Sequence, residues 1–210
     1  MFMIAIVDYK CGNLFSLSHS LSYIGAETAV TGDAEIIRSC DRIILPGVGA
    51  YEVAMQKLRE RGLDKVIIEE AMSGKPLLGI CLGMQLLCDV SYEFGIHRGL
   101  GLIHGETVDI NGLIPPELNL KIPHMGWNKL SFTENGKKNS LLKYTAEGSY
   151  FYFVHSYAVT DCGNALMATA DYSAPLAAVI ASGNVYGVQF HPEKSSGAGL
   201  DLLRAFCEVV

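Results

Sequence analysis

The first third of the chain alternates short apolar runs with stretches whose apolar residues return every three or four positions. Ile4 to Asp8 is a brief apolar run closed by an acid. After a Gly12-Asn13 turn, Leu14, Leu17, Leu21 and Ile24 recur at helical spacing up to Gly25, which predicts a strand followed by a helix. Thr28 to Thr31 predicts a second strand, Asp33 a cap for a short helix through Arg38, and Arg42 to Leu45 a third strand ending in Pro46-Gly47-Val48-Gly49. Val53, Leu58 and Val66 to Ile68 fall in one or two helical stretches before Ser73-Gly74-Lys75-Pro76. Leu77 to Ile80 is apolar without a break, the pattern of a strand covered on both faces, and Leu82 to Cys88 reads as a helix.

Repetition of strand and helix implies an α/β fold: a mostly parallel central sheet with helices on both faces, whose ligands bind at the carboxyl ends of the strands. The second half has another texture. Short strand candidates at Glu106 to Ile110, Asn128 to Phe132, Tyr150 to Phe153, Ala165 to Ala170, Ala177 to Ile180 and Val185 to Val188 are divided by Gly, Pro and Asn turns, and an amphipathic helix from about Ala198 to Val209 closes the chain. These predict antiparallel strands and site loops added to the same core. With no repeat, low-complexity tract or linker-like break, residues 1–210 are expected to form one domain.

Composition narrows the function classes. Half of the 210 residues are apolar, enough for a full core, and the formal charge of -6 gives no whole-molecule attraction to nucleic acid or an anionic membrane. No apolar run approaches the roughly twenty residues of a membrane span. The leading apolar run lacks a basic start and meets Asp8 at once, so it reads as a strand and not a signal peptide. Six cysteines without a CxxC pair read as thiols in a reducing, cytoplasmic compartment.

The candidate chemistry gathers at Cys81. Gly79-Ile80-Cys81-Leu82-Gly83 joins the unbroken strand to a helix, and a tight turn there lifts a nucleophile above the sheet while glycines allow close backbone packing. The helix start favours a thiolate, and the Leu82 N–H is placed for an oxyanion. The other reading is an inert buried thiol, which the elbow pattern and its place between strand and helix make the weaker one. The turn Gly47-Val48-Gly49 offers a second oxyanion donor or is an ordinary loop. Val188 to Glu193 contains His191 and Glu193 two positions apart, a base and its orienter, or else a surface pair. His155 lines a pocket or packs in the core. Pro123 to Asn128 reads as a turn that displays Trp127 or packs it inward. No zinc-site spacing, P-loop or dinucleotide fingerprint occurs, so no metal or cofactor is expected.

Gly79 to Gln85 together with Gly187 to Glu193 resembles the class I glutamine amidotransferases. Pro46 to Gly49, Pro123 to Asn128, Phe153 to Tyr157 and Lys194-Ser195 resemble, more narrowly, the glutaminase subunits of imidazole glycerol phosphate synthases of histidine biosynthesis. The resemblance covers essentially the whole chain. It implies the three-layer fold of that class, a Cys81, His191 and Glu193 catalytic set, and beside the Leu82 donor a second oxyanion donor at Gly47 to Gly49 that has to rearrange before the site is competent. It also implies glutamine contacts at Gln85, Glu93, Ser156 and Tyr157. The segment Leu86 to Gly95 departs from the more acidic run usual in the family, and Glu93 aligns there as the substrate-side acid. The implied partner is a (β/α)8-barrel cyclase subunit, in a heterodimer with Trp127 and Lys194 near the interface, to which ammonia is passed. Glutaminase subunits of pyridoxal phosphate, anthranilate or aminodeoxychorismate synthesis share the chemistry, and a noncatalytic module on the same fold is expected to lose the His-x-Glu pair.

Overall fold

The computed structural model describes residues 2–118 and 120–209; residue 1 of the leading apolar run lies outside them. In order the elements are β1 (Met3–Val7), α1 (Leu14–Tyr23), β2 (Glu27–Thr31), α2 (Ala34–Ser39), β3 (Arg42–Gly47), α3 (Tyr51–Glu60), α4 (Leu63–Met72), β4 (Leu77–Cys81) and α5 (Leu82–Leu86). They continue as β5 (Val90–Ser91), β6 (His97–Arg98), β7 (Glu106–Asp109), β8 (His124–Phe132), β9 (Tyr150–His155), β10 (Tyr157–Thr160), β11 (Leu166–Asp171), β12 (Pro175–Ser182), β13 (Val185–Val188) and α6 (Ser196–Glu208).

The main sheet runs β2-β1-β3-β4-β13-β12-β11-β8-β9. Its first five strands are parallel and the rest antiparallel. A smaller sheet, β10-β7-β5-β6, packs beside it. Alternation along β1 shows why the parallel strands read as unbroken apolar runs. Ala5 and Val7 join a core beneath α2, α3, α4 and α5, while Ile4 and Ile6 join a second core beneath α1 and α6. Each of the larger of these, Ile4, Ile6 and Val7, contributes roughly 1.5–3 kcal/mol relative to exposure, so both faces demand apolar residues.

Local signals set the element ends. The Asp33 carboxylate accepts from the N–H groups of Glu35 and Ile36 and starts α2. Arg42, almost wholly buried, donates to the carbonyls of Phe206 and Val209, so the open end of α6 stabilises a buried cation and ties α6 to β3.

Three expectations change. The helix after Cys81 stops at Leu86, because the carbonyls of Leu86, Leu87 and Cys88 accept from the N–H groups of the Leu100 to Ile103 loop and not from further helical turns. Pro123 to Asn128 is not a turn. From His124 it is the start of β8, paired with β9 in the register His124↔His155 to Lys129↔Tyr150. Strands β5, β6 and β10 have no counterpart in the expected set; the first two are only two residues long and carry no periodicity.

The turn from β4 into α5 depends on close backbone approach. A Cβ on Gly83 would lie 1.8 Å from the Leu45 carbonyl oxygen, and one on Gly79 would lie 2.6 Å from that of Gly83. Gly83→Ala therefore forces β3 and α5 apart, and a loss of about 3 kcal/mol or more is expected in denaturant unfolding. Gly112→Ala, where a Cβ meets nothing within 4 Å, is expected to change stability by less than about 0.5 kcal/mol.

Candidate active site

Three neighbouring parallel strands, β3, β4 and β13, end side by side. The register pairs Gly47 with Cys81 and Val188 with Ile80, so the segments leaving β3 and β13 flank the segment leaving β4. This is the carboxyl edge of an α/β sheet, where loops converge on a ligand.

Cys81 sits in this gap with φ 55° and ψ -113°, a backbone conformation that side chains with a Cβ rarely adopt. It projects the sulfur into a cavity of about 390 Å³ lined by Val48, Gly49, Leu82, Gln85, Glu93, Pro123, Val154, His155, Ser156, Tyr157 and His191. That volume lies within the usual range of small-molecule sites. The thiol is nearly buried and donates to the Val154 carbonyl at 3.8 Å. Leu82 is the first residue of α5, so its N–H lacks an intrahelical partner. With only five residues, α5 is shorter than expected and its dipole correspondingly weaker.

After β13, Phe190 turns inward against Phe151 at 4.1 Å and Phe153 at 5.5 Å, which sends its neighbours Gln189 and His191 toward the cavity side. The His191 main chain is held on both sides. Its N–H donates to the Tyr152 carbonyl, and its carbonyl accepts from the buried Ser195 hydroxyl, which in turn accepts from the Tyr152 N–H.

His191 Nδ1 meets Glu193 Oε1 at 2.8 Å, both side chains about 4% exposed, so this is a buried pair and not a surface one. The carboxylate accepts the Nδ1–H and turns Nε2 toward the cavity, where it has no hydrogen-bond partner among the described residues. Burial pulls the His191 pKa down, but the Cys81 sulfur across the gap and the Glu193 carboxylate outweigh it and raise the value to about 9. At neutral pH the site holds an imidazolium facing a sulfur nucleophile. Such a pair performs covalent addition at a carbonyl followed by proton delivery to the departing group.

Of the other residues singled out from the sequence, Val48, Gly49, Gln85, Glu93, Ser156 and Tyr157 line the cavity, and Gly47 lies behind it at the end of β3. Glu93 also accepts from the Tyr51 N–H and so caps α3, whose own cap residue Ala50 offers no side-chain acceptor. Trp127 and Lys194 lie outside the cavity, both near the half-buried Tyr152 ring. The indole is 6.1 Å from that ring and the ammonium 5.9 Å from its centre. Tyr152, Val154, Gln189 and Ser195 were not singled out as site residues. The available signal for Gln189 was an uncharged polar residue inside the apolar run Val188 to Phe190. Among the described residues, no group of three or more His, Cys, Asp or Glu side chains is placed to hold a metal ion.

A histidine whose folded-state pKa is about 9 against about 6.5 unfolded adds stability that is complete below pH 6.5 and is lost as the pH climbs toward 9. NMR titration of the His191 ring should give a midpoint near 9. Cys81→Ala should lower it at least as far as Glu193→Gln does; a midpoint unmoved by either change would contradict the pairing.

The glutamine amidotransferase class-I family model matches residues 5–209. A Listeria monocytogenes protein called imidazole glycerol phosphate synthase subunit HisH is 46% identical over 209 residues, covering 99% of this chain and 96% of that protein. A Methanothermobacter thermautotrophicus protein of the same name is also 46% identical, covering 99% of each. Among solved structures, PurLQS from Thermotoga maritima superposes with a TM-score of 0.75 at 20% identity, over 99% of this chain and 98% of that one. The glutaminase domain of Trypanosoma brucei CTPS with bound acivicin superposes with a TM-score of 0.67 at 17% identity, over 100% and 95%. At those identities the two structures speak for the fold.

Proposed function

The chain belongs to the class I glutamine amidotransferase family, and from that premise we infer that it is the glutaminase subunit of an imidazole glycerol phosphate synthase. It hydrolyses L-glutamine to L-glutamate and ammonia, and the ammonia is used by a cyclase subunit that makes imidazole glycerol phosphate and 5-aminoimidazole-4-carboxamide ribonucleotide in histidine biosynthesis. The observation that carries this reading is the meeting of Cys81 with the buried His191–Glu193 pair at the ends of β4 and β13. Similarity over nearly the full chain to relatives named for that subunit favours it over the glutaminases of other pathways.

In the mechanism we propose, the Cys81 thiolate attacks the side-chain carbonyl carbon of glutamine. The carbonyl oxygen takes up the negative charge, held by the N–H groups of Leu82 and the Gly47 to Gly49 turn. His191 protonates the nitrogen as the C–N bond breaks, and ammonia leaves with the acyl group bound to sulfur as a thioester. Water, deprotonated by His191, then attacks the thioester carbon; glutamate departs and the sulfur returns to thiolate. Glu193 keeps the imidazole in one orientation throughout. Gln85, Glu93, Ser156 and Tyr157 hold the amino-acid end of the substrate. A donor displaced by an ångström lowers the rate about a hundredfold, so a partner that reshapes the Gly47 to Gly49 turn activates the site.

The cyclase is a (β/α)8-barrel and the pair is a heterodimer, with Trp127, Tyr152 and Lys194 on the docking face. Trp127 and Tyr152 are both large aromatics left exposed or half-buried beside the Lys194 ammonium, a composition suited to an interface. No helix among the described residues is long and apolar enough to cross a membrane, and the reading places the protein in the cytoplasm.

Cys81→Ala should reduce glutamate release by at least about a thousandfold and abolish thioester accumulation in mass spectrometry. Adding the cyclase subunit should raise glutamate release by roughly tenfold or more, by the positional sensitivity above. High activity of the isolated chain, unchanged by the partner, would exclude gating through the oxyanion turn.

A further inference from the structure

Gln189 is wholly buried beside the nucleophile, and the buried histidines His124, at the start of β8, and His155, at the end of β9, face each other across that strand pair; none of the three has a part in the steps above. Their hydrogen bonds share one anchor, the Tyr157 carbonyl. A carbonyl only accepts, so both groups that reach it are donors: His155 Nδ1–H at 2.8 Å and Gln85 Nε2–H at 3.1 Å.

Each branch from that carbonyl then has a single direction. Burial depresses the pKa of both His124 and His155 to about 4, so each ring is neutral and carries one N–H. His155 uses its N–H on Tyr157; its Nε2 therefore accepts from His124 Nδ1–H at 3.0 Å, and His124 Nε2 faces the Asn128 amide donor at 3.4 Å. The Asn128 amide also donates to the Asp171 carbonyl. On the other branch, Gln85 Nε2 donates to Gln189 Oε1 at 3.0 Å, which leaves the Gln189 Nε2–H to face Cys81 Sγ at 3.7 Å. A single backbone carbonyl thus decides which end of the Gln189 amide meets the nucleophile.

We propose that Gln189 is a positioning residue for Cys81, its side-chain N–H held against the sulfur by Gln85 and the Tyr157 carbonyl so that it stabilises the thiolate. The sulfur lies between this donor and an acceptor, the Val154 carbonyl. The thiol uses both contacts. Once the proton has left, only the donor still attracts, and a hydrogen bond to an ionised group is about twice as strong as a neutral one. A reversed Gln189 amide would set Oε1 against the negative sulfur. Gln85 consequently has two ends with two tasks: its Nε2 fixes Gln189, while its Oε1, which makes no hydrogen bond among the described residues, remains for substrate.

The inference rests on Cys81 as the nucleophile. The other titratable groups around the sulfur are His191, His155, Glu93 and Tyr157 in the cavity wall and Tyr9 behind β4; all are retained in the variants that test it. The full-length chain in complex with its cyclase subunit is treated with iodoacetamide across a pH series. Alkylation of Cys81 is followed residue by residue in a mass spectrometer, with glutaminase kcat and KM measured in parallel.

Gln189→Met keeps the length of the side chain and removes the donor. It should move the alkylation midpoint up by about one pH unit and lower kcat about tenfold, with KM within about twofold of its starting value. Gln85→Met leaves Gln189 in place without its orienter, and should shift the alkylation midpoint in the same direction in the absence of glutamine. An unmoved midpoint in folded Gln189→Met, or a change in KM alone, overturns the proposal. If that variant does not fold, an unmoved midpoint in Gln85→Met overturns it. Retained activity in Cys81→Ala would instead refute the nucleophile itself, so the two failures are distinguishable.

Discussion

The structure depends on the backbone of a single residue held where backbones are rarely held. A non-glycine residue at φ 55° and ψ -113° is destabilised on the order of 1–3 kcal/mol, and it persists only when its surroundings leave no alternative. Around Cys81 they do so in two ways. Parallel neighbours β3 and β13 fix β4 on both edges, and Gly83 packs against the Leu45 carbonyl so closely that the start of α5 has no room to drift. Burial of the sheet on both faces sustains the strain, and the strain aims the sulfur. Stability and reactivity are linked at one peptide unit.

The electrostatics follow from neighbours more than from depth. His191, His124 and His155 are all nearly buried, yet the first is raised to about 9 and the other two are lowered to about 4. Burial acts downward on all three. Only His191 faces a carboxylate and a sulfur able to carry charge; His124 and His155 face each other and neutral amides or carbonyls, and the charge on His191 lowers His155 further. One imidazole is therefore charged at neutral pH, and the other two are neutral.

The parallel half of the fold was legible because burial on two faces writes an unbroken apolar run, as in β1, β3 and β4, and because Asp33 is a cap whose side chain does what its position implies. The elbow glycines were legible for a similar reason: close packing leaves few choices of residue. Strands β5 and β6 were not, since two residues cannot display a period. The start of β8 was hidden by Pro123 and Gly126, which read as a turn when only one face of the strand meets a core. The Cys81, His191 and Glu193 constellation could be assembled from the sequence because each residue sits in a short, patterned segment. The links from Tyr157 to Gln189 and to His124 could not, because they depend on a cross-strand register and on which atom of each amide faces which neighbour.

Tyr152 belongs to two surfaces at once: its main chain grips His191, and its ring lies near both Lys194 and Trp127. Trp127 is the only tryptophan in the chain, about half exposed on that same face. The molecule therefore carries a built-in optical label, since all of its indole emission originates one strand away from the peptide group that steadies the His191 imidazole.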